Sequence, residues 1–287
     1  MAPILQISNL TLTGFDNNRP VEDLLKEAKD DGYDGVELTF EGHGVLNPGT
    51  PEKVCRGYRE TADRLGMRLA SLASCAYWGR SFGHPSEAVR AEAVAFGKAH
   101  LRAAAWLGAE TVLMLPGVVW APFLEPPVVA RYDEVLERAP ACLRQLLPVA
   151  ERLGVAIGLE NAWNWFLTDP FALRTFIDQF DSPWIGAFFD AGNALLNSSA
   201  EHGVRLLGRR IKAVHVKNFK RRDGAGGFGD FTDDLLEGDL DWPGFLDALR
   251  IVGFDGPVTV EIMPTGRISG PEIARDTAPK LRKIFGA

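Results

Sequence analysis

The stretch IGLENAWNW, residues 157–165, decides how the chain is read, because an apolar run with the look of a buried strand ends on Glu160 and Asn161. A carboxylate at the edge of a core costs about 3–5 kcal/mol when nothing compensates it, so a partner or a bound ion must offset the charge. The run belongs to VAIGLEN (155–161), and seven other short segments share its character. They are ILQIS (4–8), GVELTF (35–40), RLASLAS (68–74), TVLMLP (111–116), IGAFFD (185–190), IKAVHVKN (211–218) and VTVEIMP (258–264). Each reads as a strand.

Segments with apolar residues at helical spacing separate these strands. They are VEDLLKEAKDDG (21–32), residues 51–65, 86–107 and 131–153, PFALRTFIDQF (170–180), 201–207, WPGFLDALRIVG (242–253) and the C-terminal GPEIARDTAPKLRKIFG (270–286). Gly32, Gly66, Gly108, Gly154 and Gly253 follow helical stretches where a left-handed cap is needed. Eight βα units in 287 residues predict an α/β fold, a (β/α)8 TIM barrel forming one domain over residues 1–287. An open doubly wound sheet would carry a Gly-rich phosphate turn between a strand and a helix. GAGGFG (224–229) does not sit that way and reads as a flexible loop.

Composition narrows the function classes. A hydrophobic content of 46% supports a large core, and a net charge of -7, with KNFKRR (217–222) as the best basic run, argues against a nucleic-acid partner. No run of about eighteen apolar residues suggests a membrane span, and MAPILQISNL does not resemble a secretory leader. Cys55, Cys75 and Cys142 have no metal-type spacing and read as reduced thiols, so the expected compartment is the cytoplasm.

In a barrel of this kind, functional residues gather at the C-terminal ends of the strands. Glu160 ends the fifth strand, Asp190 the sixth, and His215 and Glu261 lie near the ends of the seventh and eighth. Each alone could be a helix cap, a loop ion pair or a core histidine. Four ligand-type residues on four consecutive strands suggest instead a site for one divalent cation, Mn, Mg, Co or Zn.

The motifs GLENAW (158–163), FFDAGN (188–193), VHVKN (214–218), EGDLDWPGFLDAL (237–249) and VTVEIMP resemble those of the sugar phosphate isomerase/epimerase family. These are xylose isomerase-like TIM barrels that include L-ribulose-5-phosphate 3-epimerase and ketose 3-epimerases. The resemblance implies that Glu160, Asp190, His215 and Glu261 bind the metal, with Mn favoured. It also implies that Glu160 and Glu261 are the catalytic pair, flanking the substrate carbon. Proton removal beside a carbonyl gives an enediolate, and return of a proton to the opposite face gives epimerisation. One carboxylate working on one face would give isomerisation.

The sequence also departs from that pattern. Ketose 3-epimerases carry a second Glu six positions after the first metal Glu and a His three after the Asp, where this chain has Phe166 and Asn193. Substrate contacts are expected from Lys217, Asn193, Glu41, His43, Trp120 and Trp165, with Trp78 and Trp163 on neighbouring loops and Glu37 on the second strand. Lys220, Arg221, Arg222 and Arg267 are available to a sugar phosphate, while a free sugar would not need them. Alternative functions are a lyase or dehydratase acting on a keto-sugar or inosose, and a non-catalytic carbohydrate-binding barrel. The endonuclease IV branch needs a His-rich multi-zinc site, which five histidines and an acidic balance do not suit. Exposed loop aromatics leave room for a homodimer or homotetramer.

Overall fold

The computed structural model describes residues 3–221, 230–264 and 266–286. Eight parallel strands form a closed barrel. We number them β1 (Ile4–Ser8), β2 (Gly35–Thr39), β3 (Ser71–Ala73), β4 (Thr111–Met114), β5 (Ala156–Glu160), β6 (Ile185–Asp190), β7 (Ile211–Val216) and β8 (Pro257–Val260). Each pairs with its neighbours in sequence, and β1 pairs with both β2 and β8 to close the seam. The eight expected strands are these eight; β1 and β6 have the expected bounds, five others are shorter than expected, and β8 begins one residue earlier and ends four earlier. The GAGGFG loop and Arg222 lie outside the described residues.

Alternation along each strand divides the side chains between two environments. Leu5 and Ile7 of β1 join the large cluster that fills the space between barrel and helices. Ala73, Leu113, Phe188 and Ala213 form a separate buried cluster contributed by β3, β4, β6 and β7. Gln6 of β1 donates to Ser71 of β3, which is not its neighbour in the sheet, so both side chains point into the barrel.

The five helix-end glycines occupy the left-handed region, with φ from 68° to 98°. There a residue with a Cβ would be strained, and each glycine's N–H bonds the carbonyls of the preceding turn. At Gly186 the demand is for space. A Cβ there would lie 2.1 Å from the Arg210 carbonyl oxygen, on the segment leading into β7.

The expected helix over 131–153 is in fact two, Tyr132–Arg144 and Leu147–Leu153. Pro148 explains the break, since it has no N–H to give to the carbonyl four residues back but suits the first turn of a new helix. Two short antiparallel ribbons extend the mouth. Trp120–Ala121 pairs with Val128–Val129 after β4, and Asn218–Lys220 pairs with Asp230–Thr232 after β7. Among the described residues no helix is long and apolar enough to cross a membrane.

Candidate active site

The strand ends bring Glu160, Asp190, His215 and Glu261 together, with one potential ligand atom from each lying within 4.8 Å of the others. All four residues are buried. Register explains the grouping, because Asp190 and His215 are Cα partners on β6 and β7, and Thr259, two residues before Glu261, pairs with His215. Asp190 does two things at once. Its Oδ1 accepts from Asn193 N–H at 2.8 Å and caps the short helix Ala191–Ala194, while its Oδ2 faces the site. Asn161 fixes the Asp190 backbone from both directions, accepting from its N–H and donating to its carbonyl, each at 2.9 Å.

His215 is held by a carboxylate that the sequence reading gave no such role. Its Nε2 lies 2.7 Å from Glu37 Oε1, and Glu37 is fully buried on β2. Ser71 and Thr259 hydroxyls bond the other Glu37 oxygen, and Gln6 bonds both hydroxyls in turn. With Nε2–H assigned to Glu37, Nδ1 is left facing Glu261 Oε1 at 3.4 Å and Glu160 Oε1 at 3.7 Å. Nδ1 is buried and makes no hydrogen bond.

Charge is unevenly shared. Glu160, Asp190 and Glu261 surround one permanently charged lysine, Lys217, whose Nζ lies 2.6 Å from Asp190 Oδ2 and 2.7 Å from Glu261 Oε2. The Asp190 contact is an ion pair without hydrogen-bond alignment, so Oδ2 is also a buried oxygen with no hydrogen bond. Burial, reinforced by Glu261 and Asp190, pushes the Glu160 carboxyl up to about 7. Burial alone would also raise Glu261, but the charges of His215 and Lys217 outweigh it and hold that group well below the usual carboxylate range. His215 goes the other way, since nearby carboxylates overcome burial and raise it. Three carboxylates against one lysine converge with an imidazole nitrogen that no hydrogen bond satisfies. That donor set of oxygens and one imidazole suits a divalent cation.

Glu160, Glu261, Lys217 and Asn193 line a cavity of about 470 Å³ at the barrel mouth. Asn193 Nδ2 reaches Glu160 Oε1 at 3.5 Å. The other expected substrate contacts lie elsewhere. Trp120 and Trp165 stack on each other, centroids 4.6 Å apart and nearly parallel, on the surface. The cavity is lined instead by Trp78 and Trp163. Trp165 has a φ of 65°, a turn conformation that no periodic pattern reveals and that directs its indole outward. His43 is exposed. Glu41 sits behind the cavity-lining Cys75, accepting its N–H at 2.7 Å, and burial pushes its carboxyl up to about 7. Phe166, at the position of the missing second Glu, is fully buried against Tyr132 and Phe176.

Of the cations expected to meet a phosphate, the three among the described residues are otherwise engaged or outside the cavity. Lys220 pairs with Asp239, Arg221 donates to the Leu195 and Ser198 carbonyls, and Arg267 is exposed and does not line the cavity.

Comparison with known proteins places the fold. The chain is 25% identical over 242 residues to an uncharacterised protein of Methanocaldococcus jannaschii, covering 83% of this chain and 77% of that one. Its fold resembles that of an L-ribulose 3-epimerase, with a TM-score of 0.80 at 16% identity, covering 100% of this chain and 95% of the other. A D-psicose 3-epimerase gives 0.79 at 15% identity, with both chains fully covered. The 3-keto-D-glucoside 4-epimerase of E. coli gives 0.75 at 17% identity, covering 98% and 99%. The family model described as xylose isomerase-like TIM barrel matches residues 25–284, and the chain belongs to that family.

Proposed function

We propose that this protein is a metal-dependent epimerase or isomerase of a small carbohydrate, with Glu160, Asp190, His215 and Glu261 holding one divalent ion, Mn by preference. The observation that carries the reading is the convergence of these four buried groups around His215 Nδ1, which no hydrogen bond satisfies. A cation bound there supplies Lewis-acid stabilisation of the charge that develops on substrate oxygens.

The remaining work falls to the chain's own residues. Glu160 and Glu261 stand on β5 and just after β8, with two strands between them, and both line the cavity. One takes the proton beside the substrate carbonyl, and the other returns a proton to the opposite face, which inverts the centre. Lys217 and Asn193, also on the cavity wall, orient hydroxyl or carbonyl oxygens. Glu37 holds the imidazole of His215 in place. Three thiols without disulfides suit a cytoplasmic setting.

The test is exchange of substrate hydrogen with deuterated water over a panel of ketoses, keto-glycosides and ketose phosphates, with Mn2+ supplied or chelated. The expected result is metal-dependent exchange that is lost in both Glu160→Gln and Glu261→Gln. Full epimerisation by either variant, or exchange indifferent to chelation, refutes the assignment. Elimination products in place of an epimer would move the activity to a lyase.

A further inference from the structure

The cavity wall away from the carboxylates is apolar. Two aromatic pairs flank it, Trp78 with Phe123 at 5.2 Å between centroids and Trp163 with Phe231 at 4.7 Å, and Phe15 and Met263 continue the surface. Phe15 and Phe123 are 72% and 66% exposed, so the rim presents large aromatic faces to water at the opening of a site. Isolated exposed apolar residues need no explanation, but two on the rim of one aromatic cavity form a contiguous apolar surface of the kind that takes a ligand.

Charge points the same way. Among the described residues Lys217 is the one cation lining the cavity, and its ammonium already lies within 2.7 Å of two carboxylates. A phosphate dianion would meet Glu160 and Glu261 on this wall, and among the described residues no arginine and no second lysine lines it. Size agrees too, since about 470 Å³ is on the order of fifteen water volumes. A lone hexose, with twelve covalently linked non-hydrogen atoms, leaves part of that space unfilled.

Resting on the proposed carbohydrate chemistry, we infer that the substrate is an uncharged carbohydrate bearing an apolar aryl or alkyl substituent, and not a sugar phosphate. The polar end meets Glu160, Asn193, Lys217 and Glu261. The substituent lies between the aromatic pairs and is covered by Phe15 and Phe123.

The test is equilibrium binding to the full-length, Mn-loaded protein, read by calorimetry and by tryptophan fluorescence. Each hexose of a panel is offered as its methyl glycoside, its phenyl glycoside and its 6-phosphate. For the hexose that binds best, the phenyl glycoside is expected to bind about tenfold or more tightly than the methyl glycoside. The 6-phosphate is expected to gain nothing over the free sugar. The double variant Phe15→Ser/Phe123→Ser, altered only at exposed positions, should lose the phenyl advantage while methyl glycoside affinity stays within about twofold. A 6-phosphate that binds about tenfold tighter than its parent, a phenyl group that adds nothing, or no saturable phenyl glycoside binding overturns the inference. Mn2+ uptake, followed by electron paramagnetic resonance on the same samples, reports on the metal-site reading separately.

Discussion

Replacing Glu37 with Gln tests whether the polar floor of the barrel tunes the site above it. Glu37 is fully buried, and its Oε1 lies 2.7 Å from Nε2 of His215, the member of the four-residue cluster that it bonds. Gln keeps the shape and an acceptor oxygen but removes the charge. A hydrogen bond to a charged partner contributes about 1.5–3 kcal/mol, which corresponds to about ten- to a hundredfold in an equilibrium constant. The same range is typical when the outer partner of a metal-binding histidine is altered. The expectation is therefore an Mn2+ dissociation constant raised by about one to two powers of ten, with all four proposed ligands intact. Electron paramagnetic resonance titration of free Mn2+ measures it directly, and a thermal melt of the apo forms reports on folding. An apo melt near that of the wild type with an unchanged dissociation constant would refute the link from Glu37 through His215 to the ion. Ser71→Ala, which removes one donor to Glu37, should give a smaller change in the same direction.

Three further expectations concern the site and its frame. Lys217→Met removes the ammonium from Asp190 and Glu261, so the apo protein should melt lower and gain more from added Mn2+ than the wild type does; equal Mn2+ shifts in the two proteins would contradict it. Gly186→Ala forces a Cβ to 2.1 Å from the Arg210 carbonyl oxygen, so a loss of about 1–3 kcal/mol or more is expected in urea unfolding, against no loss if β7 yields freely. His100 is buried between Tyr77 and the Leu72 carbonyl, and burial pushes it down to about 3 from an ordinary 6.5. Its folded pKa lies below its unfolded one, so the unfolded chain binds the extra proton first, and stability is lost as pH falls from about 6.5 towards 3. By pH 5 that loss is about 2 kcal/mol, and urea denaturation of wild type and His100→Gln should diverge by that amount between pH 7 and pH 5. Parallel pH profiles would show that His100 does not titrate this way.

Much of the frame is legible in the sequence because barrel strands are buried on both faces and so read as continuous apolar runs. The glycines at 32, 66, 108, 154 and 253 are equally readable, since a left-handed cap tolerates little else. Pro148 was present to be read, yet the apolar spacing on both sides of it suggested one helix where there are two. Strand ends identify Glu160, Asp190, His215 and Glu261 as neighbours because the fold fixes where those ends go. Glu37 gives a weaker signal, being a lone acid at an inward position of β2, separated by β1 from the four consecutive strands β5 to β8 that carry the cluster. A charged residue inside GVELT has no other place to go than the barrel interior, and that was the clue. The aromatic wall was not legible. Loop side chains follow no period, so nothing distinguishes Trp78 and Trp163, which line the cavity, from Trp120 and Trp165, which stack on each other outside it.

The hydroxyl and amide layer beneath the site has a consequence for how the molecule is made. Gln6 bonds Thr259 across 253 positions of sequence, and Glu37 bonds His215 across 178. The first joins the last strand to the first and the second joins β2 to β7, so the scaffold of the imidazole is complete only when both ends of the chain have come together. A chain halted before β8 lacks both Thr259 and Glu261, however well its first seven units have formed. Uptake of the proposed ion during refolding should therefore trail the appearance of helical signal.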